Sequence, residues 1–181
     1  MNVYKKTLAI IGLSLSVTQA YGLTAGEIKT FMANEVTQPF QSLIATNLFN
    51  KQVPTTFFNN LATTATLVKQ FIQDTGKNDT DLMKAFGHAQ NATNVLINGI
   101  RECYTKLQAK DYTSANSILR DFVTLNNNMN TVKNAIDKTT FYIAGKKEAR
   151  DILATFTELL MFIAKQSQLA IVSKLPKPEN V

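Results

Sequence analysis

The residue types that could do chemistry are scarce in this chain. There is one histidine, His88, and one cysteine, Cys103, both inside "AFGHAQNATNVLINGIRECYTKL", residues 85–107. An imidazole beside a thiol makes a nucleophile–base pair or half of a zinc site, provided that the two meet. Their spacing speaks against a meeting. Leu82, Phe86, Ala89, Thr93, Leu96, Ile100, Cys103 and Leu107 recur in steps of four and three, and all but Thr93 are apolar or cysteine. That period predicts one long helix packed along its length. Fifteen residues of helix at ~1.5 Å each put the two groups roughly 22 Å apart, whereas ligands of one metal ion all lie within ~2.0–2.4 Å of it. Cys103 falls on the inward stripe as a small apolar residue. His88, next to Ala89, falls on the outward side. The pair makes no site.

The remaining chemical patterns fail one by one. No serine or cysteine nucleophile motif lies near His88, no Glu-x-x-His spacing occurs for a di-iron bundle, and no Cys-x-x-Cys-His for covalent haem. The seven glycines are scattered and build no phosphate loop. Glu148 and Asp151 stand one helical turn apart but sit among Lys146, Lys147 and Arg150, the pattern of an exposed helix start. No residue is assigned as catalytic, cofactor-binding or metal-binding, no cofactor is expected, and the chain reads as a non-enzyme. Two Asn-x-Thr triplets, at Asn78 and Asn91, match the glycosylation acceptor pattern. Whether either is used depends on the host and stays open.

The start of the chain carries an address. "MNVYKKTLAIIGLSLSVTQAYG" has Lys5 and Lys6, an apolar run from Thr7 to Val17, and small residues three apart at Thr18/Ala20 or Ala20/Gly22. This is the layout of a secretory signal peptide cleaved after Ala20 or Gly22. The apolar run is too short for the ~20 residues that span a bilayer. Cutting after Gly22 removes 22 of the 181 residues and leaves 159, enough for one domain that needs no disulfide. The expected division is a signal peptide at 1–22, one helical domain at 23–175 and a tail at 176–181. The chain is then exported, to a periplasm or to the medium. Loss of Lys5 and Lys6 lowers the formal charge from +6 to +4. The other basic residues are dispersed, with no clustered nucleic-acid footprint, so no nucleic-acid partner is expected. "ILATFTELLMFIAKQSQLAIV" is interrupted by Glu158, Lys165, Gln166 and Gln168, which argues against a transmembrane segment in the mature chain.

Five helices position what side chains there are. Thr24 and Glu27 form a capping-box spacing before Ile28, Phe31, Met32 and Val36; Pro39 then predicts one kinked helix or two short ones, resuming with Phe40, Leu43, Ile44 and Leu48. A second helix starts near Pro54 with the stripe Phe58, Leu61, Ala65, Val68 and Ile72, and the third is the one above, capped by Asn78 or Asp79. The fourth starts at Asp111 or Thr113 and carries Ala115, Ile118, Phe122, Leu125, Met129, Val132 and Ile136, with Asn126, Asn127, Asn128 and Asn130 expected outward. The fifth starts around Lys146 with Ala149, Leu153, Phe156, Leu160, Ile163, Ser167 and Ala170. Ile152, Leu159, Met161, Phe162 and Ile171 make this last helix apolar nearly all round, hence central. "TTFYIAG" is the only β-like run, and it lies between helices. The fold class expected is all-α, an antiparallel up-down bundle of about five helices: four long ones and a kinked N-terminal one.

For function, the expectation is an exported, non-enzymatic bundle that binds a protein partner or pairs with itself through an apolar helix face, because the fifth helix carries more apolar surface than five helices easily cover. The alternative is a carrier of a lipid-like ligand in an apolar cavity among Phe57, Phe71, Phe86, Phe122 and Phe156. An enzyme without a recognisable motif is a third, weaker reading.

Overall fold

The computed structural model describes residues 23–76, 79–138 and 144–176. Within them the chain is an all-α bundle. Its elements are α1 (Ala25–Phe31), a π-helical turn (Met32–Thr37), α2 (Gln38–Ala45), α3 (Thr55–Gly76), α4 (Thr80–Gln108), α5 (Tyr112–Lys138) and α6 (Ala144–Val172). The expected β-like run lies largely outside the described residues, as do Asn78, the signal-peptide region and residues 177–181 of the tail.

The helix boundaries follow from local chemistry. The Thr24 hydroxyl accepts from the Glu27 N–H at 3.2 Å, and a Glu27 carboxylate oxygen accepts from the Thr24 N–H at 2.9 Å, so two otherwise unpaired donors are satisfied at once. Asp79 caps α4, its Oδ1 taking the N–H groups of Asp81 and Leu82 at 3.1 Å each. Asp111 opens α5 through the Ser114 N–H at 3.1 Å. The Ser114 side chain and N–H, with Lys106 at 3.5 Å, hold the Asp111 carboxyl below its ordinary pKa.

Pro39 produces neither a break nor two separate helices. The backbone stays helical from Ala25 to Ala45, and the turn just ahead of the proline widens to π geometry. The reason is steric and polar together: the proline ring crowds the carbonyl four residues back, at Glu35, and offers it no N–H. Asn60 of α3 fills that gap, donating Nδ2–H to the Glu35 carbonyl at 3.1 Å and to its carboxylate at 3.3 Å. The proline defect thereby becomes the point where the N-terminal arm is fastened to α3.

The turn between α4 and α5 is a Schellman motif, with the Asp111 N–H on the Lys106 carbonyl at 2.9 Å and the Lys110 N–H on Leu107 at 3.1 Å. Its left-handed residue is Lys110, at φ 56°, where glycine is the unstrained choice. Replacing Lys110 by glycine is expected to stabilise the protein by ~0.5–1 kcal/mol, read as a higher urea midpoint at unchanged slope; a lower midpoint refutes the strain.

The stripes read from the sequence are the core. Every residue of the α4 stripe from Leu82 to Cys103 is buried, and Ala92 and Ile97 join it. Phe40 stacks on Phe57 at 5.3 Å between ring centroids and meets Phe162 edge-on at 6.0 Å, tying α2, α3 and α6 together. α6 is central, packing against α1 to α5, and Ile152, Leu153, Phe156, Leu159, Leu160, Ile163, Ala164 and Ile171 are all buried. The expected surplus of uncovered apolar surface on this helix is mostly absent, because all five other helices contribute to covering it.

Long-range pairs give the course of the chain. Lys146 of α6 reaches Asp79 at the start of α4 at 3.3 Å, so both helices begin at one end. Lys174, just past α6, bonds Asn50, just before α3, at the opposite end. Lys133 of α5 pairs with Glu158 of α6 at 3.5 Å. These contacts are compatible with an up-down arrangement. Asn126 departs from expectation: Asn127, Asn128 and Asn130 are exposed, but Asn126 is half-buried with its Oδ1 sealed and unbonded among the described residues.

Candidate functional site

The two chemical side chains sit on α4 in opposite environments. His88 is exposed, whereas Cys103 is 0% exposed, and burial pushes its thiol up to about 12 from 9.0 because a thiolate there would lack water. Nucleophilic and metal-binding cysteines need the opposite, an accessible thiol with a depressed pKa. Among the described residues no group of three or more His, Cys, Asp or Glu side chains comes close enough to hold a metal ion. Glu148 is exposed, and Asp151, half-buried, takes Arg150 at 3.4 Å. Asn91 is exposed on α4, while the hydroxyl of its partner Thr93 is buried and donates to the Ala89 carbonyl at 2.9 Å.

Among the described residues, two surface clefts measure about 130 and 120 Å³. The first lies between α1 and α3, with Leu23, Ile28, Leu67 and Phe71 as its apolar lining and Gln70, Asp74 and Thr75 as its polar one. The second lies where the α2–α3 connection meets the end of α6, with Ile44, Leu48, Phe49 and Leu169 on its apolar side and Asn47, Gln166, Ser173 and Lys174 on its polar one. Small-molecule sites ordinarily enclose ~300–1,000 Å³. Beside the second cleft stand the most exposed large apolar side chains of the described residues, Leu169 at 57% and Val172 at 55%. They are three residues apart, on one face of α6. Val95 on α4 and Val123 on α5 are also exposed.

Arg101 makes a contact that its type and position alone did not suggest: its guanidinium lies over the Phe58 ring at 4.5 Å, closing the aromatic cluster from outside. Only packing between α3 and α4 brings these two together. Among the described residues, no helix is long and apolar enough to cross a membrane.

Compared with known proteins, the chain matches no family model, no curated protein and no solved structure.

Proposed function

We propose that the chain is an exported, non-enzymatic helical bundle that binds another protein, or a second copy of itself, through the apolar end of α6. The observation that carries this reading is the exposure of Leu169 and Val172, three residues apart at the end of a helix whose other large apolar side chains are covered among the described residues. Export rests on the lysine–apolar–small pattern of residues 1–22. The lipid-carrier alternative needs an enclosed volume larger than either cleft above, at about 130 and 120 Å³.

The test is a Leu169→Lys/Val172→Lys double variant. Both residues face solvent, so its stability should stay within ~0.5 kcal/mol of wild type. Native mass spectrometry and crosslinking in the source cell should show a dimer or a captured protein for wild type and neither for the variant. A wild-type protein that is monomeric and crosslinks to nothing overturns the reading, as does a variant that associates equally well.

A further inference from the structure

We infer that the end of the bundle formed by the α2–α3 connection, the α4–α5 turn and the close of α6 is a docking surface for an anionic lipid bilayer. It is held there by lysines and not by an inserted helix. This goes beyond the protein partner proposed above and does not rest on it.

Three contacts put these segments at one end. α4 and α6, 29 residues each, start together at the Lys146–Asp79 pair and so finish together. Lys174 bonds Asn50 of the α2–α3 connection. Arg101, late in α4, lies over the ring of Phe58, early in α3, at 4.5 Å. Within two helical turns of this end, ~11 Å, the described residues carry six cations: Lys51, Arg101, Lys106, Lys110, Lys165 and Lys174. Against them stand two carboxylates, Glu102 and Asp111. Setting Lys5 and Lys6 aside leaves 17 of the 19 Lys and Arg, with all 13 Asp and Glu, a formal +4. The 11 cations and 11 carboxylates elsewhere cancel, so the whole surplus stands at this end.

The arrangement fits a broad surface. Lys51, Lys110 and Lys165 are exposed, and none pairs with a carboxylate among the described residues. The six cations are spread over four segments of the chain, and five are lysines, point charges that need no fixed partner geometry. An extended anionic surface meets them all at once. An acidic peptide needs a trough, and the cleft at this end measures only about 120 Å³. Leu169 and Val172 stand exposed beside these cations, and apolar side chains so placed enter the boundary between headgroups and acyl chains. A second copy fits poorly: end against end sets lysine on lysine, and end against flank meets a surface of no net charge.

The test is co-sedimentation of the protein, purified from its own host, with vesicles of phosphatidylcholine alone or with ~30% phosphatidylglycerol. Binding to the anionic vesicles only, weakened at ~0.5 M salt, is the expected result. Lys51→Gln/Lys110→Gln/Lys165→Gln should partition ~10–100-fold more weakly. Lys29→Gln/Lys69→Gln/Lys84→Gln removes the same charge from exposed positions elsewhere and should stay within about twofold of wild type. All six lysines are exposed, so both variants should keep the wild-type melting temperature. No binding to the anionic vesicles, equal loss in the two variants, or equal binding to pure phosphatidylcholine overturns the inference. Binding to poly-L-glutamate without binding to the vesicles gives this end to an acidic protein and overturns it as well. The crosslinking of the Leu169→Lys/Val172→Lys variant tests the protein partner separately, so either reading can fail alone.

Discussion

Raising the pH from 9 to 11 should destabilise the wild-type protein by about 2 kcal/mol more than it destabilises a Cys103→Ala variant. The cause is the buried thiol. Cys103 is 0% exposed, and its pKa is raised from 9.0 to about 12 because the thiolate would have no water around it. In the unfolded chain the thiol ionises near its ordinary value. The folded state holds the proton more tightly, so the stabilisation is fully present below pH 9 and is lost as the pH climbs toward 12. Lysines and tyrosines also titrate in this window, but they do so in both proteins and cancel in the difference. At neutral pH the alanine variant is the less stable by about 1 kcal/mol, from lost packing. The two stability curves should therefore cross near pH ~10. Urea unfolding at half-unit steps measures this. Curves that run parallel would mean that water reaches Cys103 in the folded state. The same burial would keep this unpaired cysteine inert in an oxidising compartment such as the proposed export would bring it to, because its thiolate cannot form.

The distinction between His88 and Cys103 was readable from sequence because it depends on helical phase alone. Fifteen residues of helix separate them, and a three-and-four stripe decides which of them is inward; the structure leaves His88 exposed and Cys103 sealed. The caps at Thr24 and Asp111 were readable for the same reason, since both act within three residues. What was not readable depends on partners far away in sequence. Pro39 announced a defect, but its resolution is an amide from Asn60, contributed by the next long helix. Asn126 looked like its neighbours in the asparagine run, yet its Oδ1 is sealed. The surplus on α6 was misjudged because the covering comes from every other helix, and among the described residues its exposed large apolar side chains are confined to its end, at Leu169 and Val172. A surface of that kind has no residue signature; it is defined by what fails to cover it.

Two glycines of α4 should respond to the same substitution with opposite signs. Both sit inside a helix, where glycine costs ~1 kcal/mol relative to alanine through backbone entropy. At Gly87 an added Cβ meets nothing within 4 Å, so Gly87→Ala should recover most of that cost and stabilise by ~0.5–1 kcal/mol. At Gly99 the Cβ would stand 2.6 Å from Cε1 and 2.8 Å from Cζ of Phe122, with Ile118 Cγ2 at 3.4 Å. Phe122 is 0% exposed and cannot swing into solvent. Forcing its ring aside costs ~1–3 kcal/mol, as extra atoms in a packed core do, and outweighs the helical gain. Gly99→Ala should therefore destabilise by about 1–2 kcal/mol net. Gly99 is the point where α5 lays an aromatic ring against the α4 backbone, which sets how closely these two helices approach. A second variant makes the cause specific: in a Phe122→Leu background the ring is gone, and Gly99→Ala should become neutral or stabilising. Chemical unfolding of the four proteins in this cycle, with Gly87→Ala as reference, supplies every number needed. A Gly99→Ala variant as stable as Gly87→Ala, or a penalty unchanged by Phe122→Leu, would show that the approach of α5 to α4 is looser than this packing requires.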